Sequence, residues 1–300
     1  MLKTISRRVL LLDNRVNYIF SIINRSVTSE NVSLQEAESP ETQAPSKPNT
    51  NLEKRFIYPE FLPDPKMEWR NSIREKLERS DMLKRRAVID IPEFYVGTIM
   101  SVTSSNPHAA SKTNKFVGIC IQRRGCGLRA NFVLRNVVDN LGTEICYHLY
   151  DPTITKIEVL RLEKRLDDEL LYLRDALPEY STFSFDMEPE FLPEGSPVPL
   201  NETQVIMKPR PWVGRWERGG FKGINKEHMM TLISDKMKWQ IPQHETPWEK
   251  YDLMKQYRST IPEEEQKEIF AEVSSELHKL DITRKKLKRK RTFVKPKKSA

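Results

Sequence analysis

The stretch Phe-Val-Gly-Ile-Cys-Ile-Gln-Arg-Arg-Gly-Cys-Gly-Leu-Arg-Ala-Asn-Phe-Val-Leu-Arg, residues 116–135, decides the fold of this chain. Its apolar run 116–121 predicts a buried strand, and a second strand is predicted at 132–134. The turn between them holds two arginines and two glycines: Arg123, Arg124, Gly125 and Gly127. Guanidinium groups pair with phosphate oxygens through parallel bonds, and glycine lets a backbone come close to a partner. The pattern therefore indicates a binder of polyanions.

The composition of the 300 residues is polar, with 38% hydrophobic and 31% charged residues and a mean hydropathy of −0.62. The formal net charge is +8 and the pI is about 9.2, which bears on partners and solubility rather than on fold. Three cysteines without a Cys-x-x-Cys spacing disfavour both a disulfide framework and a closed zinc site. They favour a reducing compartment, and no apolar stretch is long enough to span a bilayer.

The first residues differ from everything that follows. Residues 1–29 combine Arg, Lys and Ser with apolar residues at helical spacing, and Asp13 is the only acid before Glu30. This predicts a mitochondrial transit peptide, with an ordinary amphipathic first helix as the alternative. Residues 30–55 are rich in proline and acids and lack aromatics, which predicts a disordered linker.

A helical extension is predicted over residues 56–93. Asp64-Pro65 should open a helix whose apolar face carries Trp69, Ile73 and Leu77, and which ends at about Arg86.

The next predicted unit covers residues 94–177. Its first part, up to Leu160, reads as five or so short strands with turn signals between them, which suggests a small curled barrel. A helix that closes the domain is then predicted from a stripe of leucines that Pro178 ends: Leu162, Leu166, Leu170, Leu173 and Leu177.

Three further units follow. Prolines and aromatics are dense over residues 178–224, which predicts an extended arm that lies on another surface. Apolar spacing and capping boxes predict helices over 225–283.

Residues 284–300 are a basic tail without acids, whose first members are Arg284, Lys285, Lys286, Lys288, Arg289, Lys290 and Arg291. Such a tail binds RNA or DNA with marked salt dependence and usually orders only on its partner. The alternatives are a solvated tail and a nuclear address. The amphipathic N-terminus disfavours the nuclear address.

A second candidate interface interleaves cations and aromatics: Arg210, Trp212, Arg215, Trp216 and Arg218. Exposed aromatics stack on unpaired bases while cations hold phosphates, so RNA or protein contact is one interpretation. The other is that the tryptophans anchor an irregular segment onto the domain, because tryptophan is mostly buried in any fold.

Catalysis is disfavoured. Gly125, Gly127 and Ala130 match a Gly-x-Gly-x-x-Ala pattern, but a dinucleotide site needs a helix next and residues 131–138 read as a strand. The histidines lie far apart and no nucleophile or phosphate-loop motif is present. The acids at 167–169 predict a solvated helix face rather than a metal site. We expect a protein that is not an enzyme and has no cofactor.

A series of short motifs follows in order: Phe94 and Gly97; Phe116 and Gly118; Arg123, Arg124, Gly125 and Gly127; Phe132 and Arg135; Gly142 and Glu144; Pro152, Ile154, Ile157 and Val159; Tyr172, Leu173 and Arg174. In order and spacing they resemble bacterial large-subunit ribosomal protein nineteen. The chain departs from that family where acids at 167–169 replace a basic segment. With its transit-like N-terminus and long flanks, it resembles the mitochondrial branch.

The resemblance implies an α+β protein: a small SH3-like β-barrel with flanking helices, the proline-rich arm and the basic tail. It also implies a structural role in the large ribosomal subunit of the mitochondrial matrix, with ribosomal RNA and neighbouring ribosomal proteins as partners. The residues expected to contact RNA are Lys115, Arg123, Arg124, Gly125, Gly127, Arg129, Arg135, Arg174 and the basic tail. Those arginines could instead pair with acids of a neighbouring protein. The alternative functions are an RNA-binding or assembly factor outside the ribosome and a protein–protein adaptor.

Overall fold

The structure, a computed structural model, describes residues 58–193 and 196–292. The predicted transit peptide, the predicted linker and the last part of the basic tail lie outside the described residues. No helix of the described ranges is long and apolar enough to cross a membrane.

One antiparallel sheet of five strands organises the molecule. The strands are β1 (Ile99–Ser105), β2 (Thr113–Arg124), β3 (Asn131–Val138), β4 (Leu141–His148) and β5 (Ile154–Arg161). Their order across the sheet is β4-β3-β2-β1-β5, and the two edge strands do not pair with each other. Together with the helices described below, this sheet confirms the α+β class.

The central strand β2 is buried on both faces, which explains why its sequence is an almost continuous apolar run. Phe116 and Cys120 face one cluster, which also contains Phe132 of β3. Ile119 and Ile121 face a second cluster on the opposite side. Neighbouring β3 passes so close that a Cβ on Gly118 would lie 2.6 Å from the carbonyl oxygen of Arg135.

Helix α1 spans Ser72–Val88 and begins later than predicted. Asn71 caps it, since its side-chain oxygen accepts from the backbone N–H groups of Ile73 and Arg74, both at 3.1 Å. Residues 59–61 and 67–69 form only short 3₁₀ turns. Trp69, Ile73 and Leu77, which were predicted at helical spacing, are exposed. A different face of α1, carrying Met82, packs in the main core.

The predicted closing helix over residues 162–177 is absent. Instead β6 (Lys164–Arg165) pairs in parallel with β7 (Leu200–Asn201), and a 3₁₀ turn follows at 171–174. The Asp167 carboxylate accepts the backbone N–H groups of Lys222 and Gly223, each at 2.8 Å. These bonds join Asp167 to a segment 55 and 56 positions away along the chain. Leu170 and Leu173 of the stripe pack in the apolar cluster that also contains Ile119 and Ile121 of β2.

The described residues of the range 178–224 form no α-helix, and they return repeatedly to the sheet. The Asn136 side chain donates to the carbonyl oxygens of Val117 and Phe183 at 2.8 and 3.0 Å. The backbone N–H of Glu190 donates to Leu160 at 2.7 Å.

Four helices complete the described chain: α2 (Lys226–Leu232), α3 (Asp235–His244), α4 (Leu253–Ser259) and α5 (Glu263–Thr292). Helix α5 continues through the first part of the predicted tail, so residues 284–292 are helical. Lysine and arginine are good helix formers, and cations near a helix C-terminus interact favourably with its dipole.

Candidate nucleic-acid interface

The glycines of the β2–β3 turn have a conformational role. Gly125 and Gly127 adopt φ angles of +80° and +63°, a region that other residues rarely enter. A Cβ on Gly125 would also lie 2.8 Å from the carbonyl oxygen of Arg129. The chain thereby turns within a few residues into the 3₁₀ turn Gly127–Arg129. The turn points Arg124 and Arg129 outward, and both side chains are exposed.

Arg123 points the other way. Its Nη2 donates to Glu60 Oε2 at 2.6 Å and its Nη1 to the carbonyl oxygen of Phe94 at 2.8 Å. Its guanidinium carbon lies 4.2 Å from the centre of the Phe94 ring. The Glu60 side chain is only 1% exposed and also pairs with buried Arg86. Arg123 is thus a partner in an internal ion cluster, and its guanidinium group is turned away from the surface.

Arg135 and Arg174 form a second internal cluster around Glu144. Arg135 is buried, and its Nη1 donates to Glu144 Oε1 at 2.8 Å; Arg174 Nη2 donates to Oε2 at 2.7 Å. Burial alone would raise the pKa of Glu144, but hydrogen bonds and charge from Arg174 and Arg135 outweigh it and hold the pKa below its ordinary value. These arginines are therefore engaged within the protein.

The remaining residues of the sheet that were predicted to contact RNA do not form one patch. Lys115 and Arg124 stand at opposite ends of β2, about 30 Å apart along a strand of this length. Lys115 Nζ donates to the carbonyl oxygen of Phe185 at 3.1 Å, and Arg124 pairs with Glu169 at 3.2 Å. Both pairs are at the surface, where water and a competing phosphate can reach them.

The tryptophans of the interleaved segment point inward. Trp216 Nε1 donates to Asp175 Oδ2 at 2.5 Å, and Trp212 Nε1 donates to the carbonyl oxygen of Lys208 at 2.7 Å. Both rings pack against the second apolar cluster. An indole that is bonded and packed in this way is not presented to a base, so the arrangement favours the anchoring alternative.

The arginines beside these tryptophans are also engaged. Arg210 lies over the Trp212 ring, with its guanidinium carbon 5.0 Å from the ring centre. Arg218 donates to Gln240 at 3.2 Å. Arg215 is exposed and lies 3.7 Å from Glu217.

The C-terminal part of α5 presents an exposed basic surface. Ile269 and Val273 bury the first half of the helix against the main core. Arg284 fixes the helix to the end of α1, with its Nη1 2.6 Å from Asp90 Oδ1. Beyond this point, the exposed cations of the helix include Lys285, Lys286, Arg289 and Lys290. The side chain of Arg291 lies outside the described residues.

Sequence reasoning missed the carboxylates that organise these sites. Glu60 lies 63 positions from Arg123, and Glu144 lies 30 from Arg174. One signal was available: a buried arginine must have a counter-charge. It says that a partner exists without saying which acid it is. Within the described ranges, no group of His, Cys, Asp and Glu is arranged to hold a metal ion.

Comparison with known proteins assigns the family. Residues 73–181 match the model of "Ribosomal protein L19". The chain is 60% identical over 275 residues to "Large ribosomal subunit protein bL19m" of Drosophila melanogaster, covering 90% of this chain and 89% of that protein. The chain belongs to the ribosomal protein L19 family. It falls in the mitochondrial branch of L19, and as a member of a ribosomal protein family it is a structural protein, not an enzyme.

Bacterial and plant relatives share a smaller part. "Large ribosomal subunit protein bL19" of Malacoplasma penetrans is 40% identical over 87 residues, covering 29% of this chain and 60% of that protein. "Large ribosomal subunit protein bL19c" of Spinacia oleracea is 32% identical over 93 residues, covering 31% and 40%. The L19 similarity that all of them share is thus short, whereas similarity to bL19m extends well beyond residues 73–181.

Proposed function

We propose that this L19 chain is a structural component of the mitochondrial large ribosomal subunit, where it binds ribosomal RNA and supports mitochondrial translation. The observation that carries the proposal is the 60% identity to bL19m over nine-tenths of the chain. Residues 1–29 would direct import into the matrix, and neighbouring ribosomal proteins would be further partners. The finer fold that we propose is SH3-like, which the strand order β4-β3-β2-β1-β5 supports.

The RNA contacts that we propose come from exposed cations. The first set is the end of α5, with Lys285, Lys286, Arg289 and Lys290. Each such side chain that neutralises a phosphate releases counterions, which makes binding salt-dependent. The second set is the surface of the sheet, with Lys115, Arg124 and Arg129. Arg123, Arg135 and Arg174 are left out because Glu60 and Glu144 engage them.

The test is a sucrose-gradient profile of a mitochondrial lysate that contains the tagged full-length chain, with and without magnesium chelation. We expect the chain to sediment with the large subunit and to stay with it when chelation separates the subunits. A chain that remains near the top of the gradient would contradict the proposal and would favour an RNA-binding factor outside the ribosome. A chain that follows the small subunit would contradict both functions.

A further inference from the structure

The outer face of α1 is apolar and has no cover in the described part of the chain. Ile73 is 71% exposed, Leu77 67% and Val88 86%. Since successive residues of a helix are 100° apart, these three lie within about 60° of one another around the axis. Exposed apolar residues scattered singly are ordinary, but a row along one helix face marks an interaction surface.

The net charge of this outer face is positive. Exposed Lys84 lies within the row, and exposed Lys76 lies at one edge of it, about 60° from Ile73. Asp81 lies at the other edge, about 20° from Val88, and pairs with Arg85 at 2.9 Å. Glu75 and Glu78 lie on other faces, 3.6 Å from Arg70 and 3.6 Å from Arg74. The outer face thus combines aliphatic side chains with two ammonium groups, and the carboxylate at its edge is already paired.

An apolar cavity continues the face at the C-terminal end of α1. It has a volume of about 210 Å³. Val88 belongs both to the outer face and to the wall of this cavity. The other apolar residues of the wall come from the chain after α1 and from the loop between β4 and β5: Ile89, Ile91, Leu149 and Pro152. The cavity has room for one large apolar side chain of a docked segment.

We propose that the outer face of α1 and this cavity dock an amphipathic acidic helix of a neighbouring ribosomal protein. The proposal rests on the function proposed above and names a partner class for it. Aliphatic side chains of the partner would cover Ile73 and Leu77, and one would enter the cavity beside Val88. Carboxylates at the edges of the partner helix would pair with Lys76 and Lys84, which fixes its orientation and suppresses basic competitors.

Protein is favoured over RNA by the chemistry of the face. RNA is held by cations on phosphates and by aromatic or guanidinium planes stacked on bases. Ile73, Leu77 and Val88 provide neither cations nor planes that stack on bases. Covering them with the polar groove of an RNA would contribute little hydrophobic free energy. Amphipathic helices, in contrast, commonly bind by placing their apolar face in a hydrophobic groove.

The test uses the full-length tagged chain with a photoreactive p-benzoylphenylalanine in place of exposed Ser80, on the same face. Large subunits are isolated on a gradient and irradiated, and the adducts are digested and sequenced by mass spectrometry. We expect one protein adduct, at a peptide with aspartate or glutamate beside helically spaced apolar residues. An RNA adduct, an adduct within this chain, a peptide without acids or no adduct would overturn the proposal.

Charge variants sharpen the result. Leu77→Glu, and separately the double variant K76E/K84E, should lower the adduct yield by at least about tenfold, because each removes a central contact. The matched control is Leu200→Glu on β7, where the leucine is 52% exposed. It should leave the yield unchanged, and thermal melting should show that all three variants remain folded. Absence of the chain from the large-subunit peak overturns both proposals, whereas its presence there without the expected adduct overturns only this one.

Discussion

The arginines of the sheet and the cations at the end of α5 have similar chemistry and opposite surroundings. Arg123 and Arg135 lie in the sheet, where Glu60, 63 positions away, holds Arg123 and Glu144 of the neighbouring strand β4 holds Arg135. Lys285 and Lys290 lie on an exposed helix end, beyond the point where Arg284 pairs with Asp90. Cation density in the sequence therefore does not mark an RNA surface. What separates the two regions is whether a carboxylate lies within reach.

The largest expected effect comes from removing Glu60, the carboxylate that pairs with Arg123 of the sheet and with Arg86. Glu60→Ala should lower the free energy of unfolding by about 3–5 kcal/mol, because it leaves buried Arg86 and half-buried Arg123 without a counter-charge. Urea unfolding of the purified full-length chain measures the loss. Glu169→Ala is the control, since Glu169 meets exposed Arg124 and should cost less than about 1 kcal/mol. Equal losses in the two variants would contradict the prediction that the buried Glu60 cluster stabilises the fold more than the exposed Glu169 pair.

The second prediction concerns the open cations. Replacing Lys285, Lys286, Arg289 and Lys290 together by Gln should reduce the slope of log affinity against log salt by up to about four. Filter binding of the full-length chain to transcribed large-subunit ribosomal RNA, at several salt concentrations, measures this slope. The matched control replaces four exposed lysines elsewhere, Lys226, Lys236, Lys238 and Lys267. A slope that falls as far in the control would show a diffuse charge effect instead of an interface.

The third prediction uses acid to open the second ion cluster. The folded-state pKa of Glu144 lies below its ordinary value of 4.5, so its stabilisation is complete above that pH and is lost as pH falls through the folded pKa. The wild-type free energy of unfolding should therefore decline between about pH 5 and pH 3.

Glu144→Gln provides the comparison for this decline. The variant should be about 1–3 kcal/mol less stable at neutral pH, because Arg135 and Arg174 lose their shared charge partner. Its decline in acid should be shallower than that of the wild type. Parallel pH profiles of the two proteins would show that another carboxyl group is responsible.

The smallest predicted effect separates two neighbours in the turn. Arg124→Gln should change the free energy of unfolding by less than about 0.5 kcal/mol while weakening RNA binding, because the side chain is exposed. Arg123→Gln should do the reverse and destabilise the fold, since Arg123 bonds Glu60 and the Phe94 carbonyl. Unfolding and RNA-binding measurements on both single variants decide between these roles. If the two variants behave alike, the bonds of Arg123 to Glu60 and Phe94 do not give it a different role from exposed Arg124.

The sequence was sufficient where local pattern dictates structure. The apolar runs 116–121 and 132–134 predicted two strands with a glycine turn between them, and the structure contains β2, β3 and that turn there. A strand buried on both faces must be apolar throughout, and a turn with positive φ favours glycine. The local sequence is therefore sufficient to predict these features. The ordered motifs from Phe94 to Arg174 pointed to the L19 family, which the comparisons confirm.

The spacing of apolar residues was not sufficient where the same spacing fits more than one arrangement. The leucines at 162–177 are spaced as in a helix, yet Leu170 and Leu173 pack on the sheet around a short 3₁₀ turn. Trp69, Ile73 and Leu77 are spaced as a buried stripe, yet they face outward. Periodicity shows which residues share a face, but it does not show what lies opposite that face.

The sequence by itself thus determined the strands, their turn and the family, while only the tertiary structure decided which cations remain available to a partner. Glu60 meets Arg123 across 63 positions of chain, and Glu144 meets Arg174 across 30. The free energy of such a pair depends on distance and burial, which exist only once the chain has folded. The roles of the arginines were therefore fixed by their three-dimensional neighbours and not by their positions in the sequence.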